Sequence, residues 1–169
     1  MTRHIALLTL LIAAGCSSQP ATPPAAGPAA GAPPAATAPT PTASRTVEIT
    51  GNDSMKFNVT EIVAKPGETL AVTLVNTGTT PKFSMGHNWV LLAAGTDPQA
   101  FVVAAAEAVT TDYVPASQKA QIIAATKLLG PKERDTVTFT VPATPGRYEF
   151  VCSFPGHFQV GMRGVLIVR

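Results

Sequence analysis

Thr136-Val-Thr-Phe-Thr-Val141 alternates a hydroxyl-bearing residue with an apolar one along its whole length. A period of two is the period of a strand, because successive side chains leave opposite faces of a pleated backbone. Val137, Phe139 and Val141 therefore share one buried face. Thr69-Leu-Ala-Val-Thr-Leu74 repeats the pattern, with Leu70, Val72 and Leu74 on the buried side. Working outward, further strand-like runs lie at Thr46–Thr50, Asn58–Ala64, Asn88–Leu92, Gln121–Leu128, Arg147–Cys152 and Gly164–Arg169, with Gly and Pro clusters between most of them. Such a series predicts an all-β fold, a Greek-key β-sandwich of seven to eight strands. One stretch breaks the pattern. Asp97 is suited to cap a helix, Pro98 suits a first turn and an Ala-rich run follows, so Pro98–Val109 is expected to be one helix lying as a flap across the sandwich.

The foldable part does not extend to the N-terminus. Of 16 prolines in 169 residues, 8 fall between Pro20 and Pro41, and no charge lies between Arg3 and Arg45. Residues 45–169 form a segment of 125 residues, enough for one domain that buries roughly two-thirds of its unfolded surface. Residues 1–15 read as an export signal: Arg3 and His4, then Ile5 to Ala14 without charge, a run too short to span a bilayer. The junction Ala13-Ala14-Gly15-Cys16 resembles a bacterial lipobox, with Ala13 in place of the usual Leu, which makes Cys16 the expected lipid-bearing residue. Ordinary cleavage nearby, leaving Cys16 as a free thiol, is the other reading. Residues 16–44 are then a tether of Ala, Pro, Thr, Ser and Gly that cannot bury enough apolar area to order itself. Its 28 residues after Cys16 reach at most on the order of 85 Å at about 3.1 Å each.

Charge and cysteine content exclude two classes. The segment 45–169 holds 11 of the 12 Lys and Arg beside all 10 acids, so it is nearly neutral and has no electrostatic basis for binding nucleic acid. Cys16 and Cys152 are the only cysteines, which excludes a disulfide-stapled scaffold.

The chemistry gathers near the C-terminus. Cys152 ends a run in which Tyr148, Phe150 and Cys152 share a face; His157 follows five residues later and Met162 five after that. Pro155 and Gly156 can fold this turn so that a thiolate, an imidazole and a thioether aim at one point. His87 shares parity with Trp89 and Leu91, so it is expected to face inward, where a lone imidazole needs a partner. Two nitrogens and a thiolate, with a weak axial thioether, suit copper cycling between its two oxidation states. Zinc is a rival occupant, because two histidines and a cysteine with a vacancy also suit it.

Four separated segments carry a family resemblance. Gly51-Asn-Asp-Ser-Met-Lys-Phe57, Met85-Gly-His87-Asn-Trp-Val90, Thr126-Lys-Leu-Leu129 and Cys152-Ser-Phe-Pro-Gly-His157 resemble azurin segments in the same order, over almost all of 45–169. The resemblance implies a cupredoxin fold and one type 1 copper ion, with His87, Cys152 and His157 as strong ligands and Met162 as the weak axial one. It implies that Gly86 offers its backbone carbonyl from the opposite side. It further implies that Asn88 braces the loop holding Cys152 and that the amide of Phe154 donates to the cysteine sulfur. Met55, Met85, Phe154, Pro155 and Phe158 are either core residues or, as the resemblance implies, an apolar collar around His157, and the collar is the expectation, a docking face for a redox partner. Two departures stand out. The five-residue step from His157 to Met162 is one longer than in azurins and resembles that of auracyanin, a membrane-associated relative. Arg45 stands where an azurin opens with a cysteine, and its partner near Glu68 is missing, so the usual azurin disulfide is absent.

The expected function is single-electron transfer between redox proteins of the cell envelope. The domain would be a monomer, held to a membrane through Cys16 and facing the periplasm or exterior. Copper delivery or storage is the alternative, separated from it by the lack of blue colour on oxidation. An enzyme built on a Cys152/His157 pair is disfavoured because no third orienting group or oxyanion device accompanies it. With two histidines in the mature chain there are no ligands for a second copper site, which excludes a multicopper oxidase.

Overall fold

The structure is a computed structural model that describes residues 42–169. The signal reading of 1–15, nearly all of the tether 16–44 and Cys16 lie outside the described residues. Among the described residues, eight strands pair into two sheets. The smaller sheet has the order β1 (Arg45–Gly51), β3 (Thr69–Asn76), β6 (Arg134–Thr140). The larger has the order β2 (Glu61–Ala64), β8 (Arg163–Val168), β7 (Gly146–Val151), β4 (Val90–Leu92), β5 (Ile122–Ala125). β1 runs parallel to β3 and β2 parallel to β8, while the other pairs are antiparallel.

The alternating runs face where their period places them. Leu70, Val72 and Leu74 of β3 are fully buried and share one core with Ile49, Phe139 and Val141 on the same side and Trp89, Leu91, Phe150 and Leu166 from the facing sheet. That interdigitation makes the sandwich. Across the β3–β6 pair, Thr73 and Thr136 are register partners whose hydroxyls lie 2.8 Å apart, which gives the buried Thr73 hydroxyl a partner.

β4 lacks alternation because it is buried on both faces. Trp89 and Leu91 enter the main core, while Val90 and Leu92 join Val151 beneath a helix, α2 (Pro98–Ala106), that follows a single turn, α1 (Lys82–Met85). α2 is the expected flap: Phe101, Val102 and Ala105 lie against those three valine and leucine side chains on the outer face of the larger sheet. Asp97 caps it, accepting from the amide of Gln99 at 2.9 Å, and Pro98 occupies the first turn. The helix ends at Ala106 rather than Val109. Val109-Thr-Thr111 is β-branched throughout, a poor continuation for an α-helix, and forms a 3-10 turn instead.

Two strands are shorter than their sequence patterns. Asn58 does not extend β2; its amide donates to Thr50 and its side-chain oxygen accepts from the Thr50 amide, closing the end of β1. β5 stops at Ala125 because Thr126 turns its hydroxyl oxygen to the Trp89 amide at 2.9 Å. Beyond it, Leu129 pairs with His87 as an isolated bridge.

Where the resembling family would place a disulfide, a charge pair stands. Arg45 Nε donates to Glu68 at 3.0 Å and its Nη2 to the Val63 carbonyl at 2.7 Å. One side chain thus ties the starts of β1 and β3 to β2 of the other sheet.

Candidate metal centre

Three loops converge at one end of the sandwich. His87 lies just before β4 and is held on both sides by the Leu129 backbone, its amide donating at 3.1 Å and its carbonyl accepting at 2.8 Å. Cys152 follows the last residue of β7, and its amide donates to the Met162 carbonyl at 3.0 Å. Met162 directly precedes β8 and donates to the His157 carbonyl at 2.9 Å. Two antiparallel strands therefore pin both ends of the turn, and Gly156 at φ 85 and Gly161 at φ 93 take the left-handed steps that bend it.

The donor atoms meet. His87, Cys152 and His157 are buried, and one ligand atom from each lies within 4.8 Å of the others. The two Nδ1 atoms are 3.2 Å apart, and Cys152 Sγ is 3.4 Å from His157 Nδ1. Three donors each about 2 Å from a common centre stand about 3.5 Å from one another, so these separations are those of a trigonal ring around one metal ion. Met162 is fully buried beside this ring, its methyl directed at Gly51 near the His87 imidazole.

Electrostatics make the cluster a receptor for a cation. Burial pushes the Cys152 thiol up to about 12, against the opposing pull of the Asn88 and Phe154 backbone amides. Burial, with the neighbouring His87, lowers His157 to about 4. His87 is also lowered by burial, with the Asn52 carbonyl and the Asp53 charge opposing. Each donor is thus neutral on its own, and a thiolate forms here only when a metal takes the place of the proton.

A polar clamp holds the cysteine loop. Asn88 Oδ1 accepts from the Ser153 amide at 2.8 Å, and its Nδ2 donates to Ser153 Oγ at 2.8 Å and to the Asp112 carbonyl at 3.1 Å. Ser153 Oγ in turn donates to the Tyr113 carbonyl at 2.7 Å. Asp112 and Tyr113 both have left-handed backbones, with φ of 56 and 61, a costly conformation fixed by these contacts. This outer anchor is not legible in the sequence, since nothing local marks which carbonyls a distant asparagine will reach.

The donor set and its spacing fit a type 1 copper site. The profile of the copper-binding proteins of the plastocyanin/azurin family matches residues 43–169. The chain belongs to that family. This family member is 38% identical over 126 residues to an azurin of Pseudomonas chlororaphis, covering 73% of the chain and 97% of the relative. It is 42% identical over 123 residues to azurin-1 of Alcaligenes xylosoxydans xylosoxydans, covering 71% and 94%. Among solved structures, the dithionite-reduced auracyanin of Roseiflexus castenholzii matches with a TM-score of 0.67 and 38% identity, covering 76% of this chain and 99% of that one. An azurin of Methylomonas sp. strain J matches with a TM-score of 0.66 and 32% identity, covering 75% and 99%. The cupredoxin sandwich expected from the sequence is thereby shown.

The expected collar is placed unevenly. Pro155 is exposed, and Met55 and Met85 are half-buried. Phe154 is buried, its ring 4.7 Å from His157 and 5.0 Å from Tyr113. Phe158 is 6% exposed and packs with Phe101, Val90 and Val151 beneath α2, while the Arg163 guanidinium lies 4.8 Å above its ring. The flap needs an apolar side chain there, and the turn after His157 carries Phe158 to that face. Phe83, two residues before Met85 on α1, is 83% exposed and was not picked out by sequence. Its signal was composition alone, an aromatic residue in a Pro-Lys-Phe-Ser turn. Lys56 donates to the Val160 carbonyl, within the step from His157 to Met162 that is one residue longer than in azurins.

Proposed function

We propose that this cupredoxin is a single-electron carrier, with His87 Nδ1, Cys152 Sγ and His157 Nδ1 as the equatorial ligands, Met162 as the weak axial ligand and the Gly86 carbonyl opposite it. The observation that carries this reading is the buried ring of two imidazole nitrogens and one sulfur within 4.8 Å of one another. Bound copper supplies a one-electron couple between Cu(I) and Cu(II). The chain supplies rigidity. His87 is locked to Leu129, Cys152 to Met162, Met162 to His157 and Ser153 to Asn88, so the donors have little room to move when the charge at their centre changes. The amides of Asn88 and Phe154 aim at the sulfur and favour its anionic form.

Partner docking belongs to the His157 end. Met55, Met85 and Pro155, with the exposed Phe83 added, supply the apolar surface on which a redox protein would seat. The domain works as a monomer in the cell envelope, lipid-anchored through Cys16 and facing the periplasm or exterior. Neither nucleic acid nor a turned-over substrate is part of this reading.

The test is copper loading of the purified chain, followed by visible and EPR spectra of the oxidised form. An intense blue band with a type 1 EPR signal, lost in Cys152→Ser, is expected. A colourless loaded protein points to copper delivery and overturns the carrier reading. For the rim, Met85→Lys should slow electron exchange with a redox protein several-fold and leave the visible spectrum unchanged; unaltered rates remove Met85 from the docking face.

A further inference from the structure

Gly51 ends β1 at the metal centre, and its backbone does not need glycine: its φ is not in the left-handed region. What it needs is empty space. A Cβ at this position would stand 2.7 Å from the Met162 methyl carbon and 3.4 Å from His87 Cδ2. The first distance is a clash, while the second is ordinary contact. The methyl of Met162 therefore occupies the volume that any other residue at 51 would fill with its own side chain.

The backbone of Gly51 cannot retreat. It pairs with Asn76 in the β1–β3 ladder and bridges to Phe57. Its carbonyl accepts from the Thr77 amide at 2.8 Å and from the Thr77 hydroxyl at 3.1 Å. The thioether can retreat, being the free end of a flexible side chain. It must yield by about 1 Å to regain van der Waals contact. His87, held by Leu129 at both its amide and its carbonyl, stays in place.

We infer that Gly51 is a positioning residue for the axial ligand: the missing side chain at 51 seats the Met162 thioether over the His87–Cys152–His157 ring and thereby sets the strength of axial donation. This rests on the reading of Met162 as the axial ligand. It also separates two glycines that look alike in sequence. At Gly86 a Cβ would meet the Lys82 backbone carbonyl at 2.7 Å and the Leu128 side chain at 2.9 Å, so that glycine is required by the packing of α1 and not by a ligand.

Gly51→Ala tests the inference. In the metal-free protein, NMR should show a contact between the Met162 methyl protons and the Gly51 α-protons, and in Gly51→Ala the Met162 methyl resonance should move while the His87 and Leu129 amide protons stay hydrogen-bonded. In the copper-loaded protein, Gly51→Ala should keep the blue band, change the EPR parameters and shift the potential. The decisive arm is Met162→Ala, in which the same Gly51→Ala change should lose nearly all of its effect on the potential, because the group it displaces is gone. An equal shift in both backgrounds, or no shift in the Met162 chain, overturns the role of Gly51. If Met162→Ala alone leaves the potential unmoved, the axial reading fails and takes this inference with it.

Discussion

Cys152 and Met162 divide the work of one sulfur pair. The cysteine is fully buried and retains its proton until a metal replaces it, so its bond to the metal is the one that a charge-transfer colour reports. On the proposed axial reading the uncharged thioether is a weak donor, the residue that adjusts the potential without creating the site. Met162→Leu should therefore keep the colour and raise the potential, because a donor that favours Cu(II) has been replaced by a hydrocarbon of similar volume. Voltammetry of the two proteins checks it, and equal potentials would remove Met162 from the axial position. At this scale the sequence was readable where the residues are local. Cys152, His157 and Met162 sit on one turn, so spacing alone could aim them together. His87 was readable from strand parity with Trp89 and Leu91, all of which the structure buries. Phe158 was not, because in an irregular turn neither parity nor spacing decides which face a side chain takes.

Among the elements, α2 is the one whose presence and start were legible and whose end was not. Asp97 and Pro98 marked the start, and the cap hydrogen bond is there. The end depended on how a β-branched run would resolve, by a 3-10 turn and two left-handed residues that are fixed by tertiary contacts with Asn88 and Ser153. The flap covers Val90, Leu92 and Val151 on strands whose other faces hold Trp89, Phe150 and the ligand loops, so its docking protects the sheet that positions His87 and Cys152. Removing the cap by Asp97→Ala should cost about 1 kcal/mol of stability, since a helix N-terminal amide loses its acceptor. Chemical denaturation of the metal-free protein measures this, and the visible spectrum of the loaded protein should not change. A cost near zero would mean that packing of Phe101, Val102 and Ala105 alone holds the helix start.

For the domain as a whole, the question is what closes the end where the family's disulfide is missing. Sequence showed the absence of the cysteines; it could not show that Arg45 would reach both Glu68, next to the start of β3, and the Val63 carbonyl on β2 of the other sheet. Glu68 is the hub. Its carboxylate accepts from the Lys65 amide at 3.0 Å as well as from Arg45, and these bonds, the amide first, hold its pKa below the ordinary glutamate value. A lowered folded-state pKa means that the stabilisation is complete above the unfolded pKa of about 4.3 and disappears as pH falls through the folded value. Arg45 is 42% exposed at its side chain, so solvent screening keeps the pair's contribution to about 0.5–1 kcal/mol, well short of what a disulfide gives. Glu68→Gln should accordingly lower stability by that amount at pH 7, and the gap between the two proteins should narrow to nothing in acid below the folded pKa. Denaturant titrations of both metal-free proteins at neutral and acid pH read the difference directly. A gap that persists unchanged in acid would show that Glu68 acts through packing or the Lys65 turn, and that the charge pair does not close this end of the sandwich.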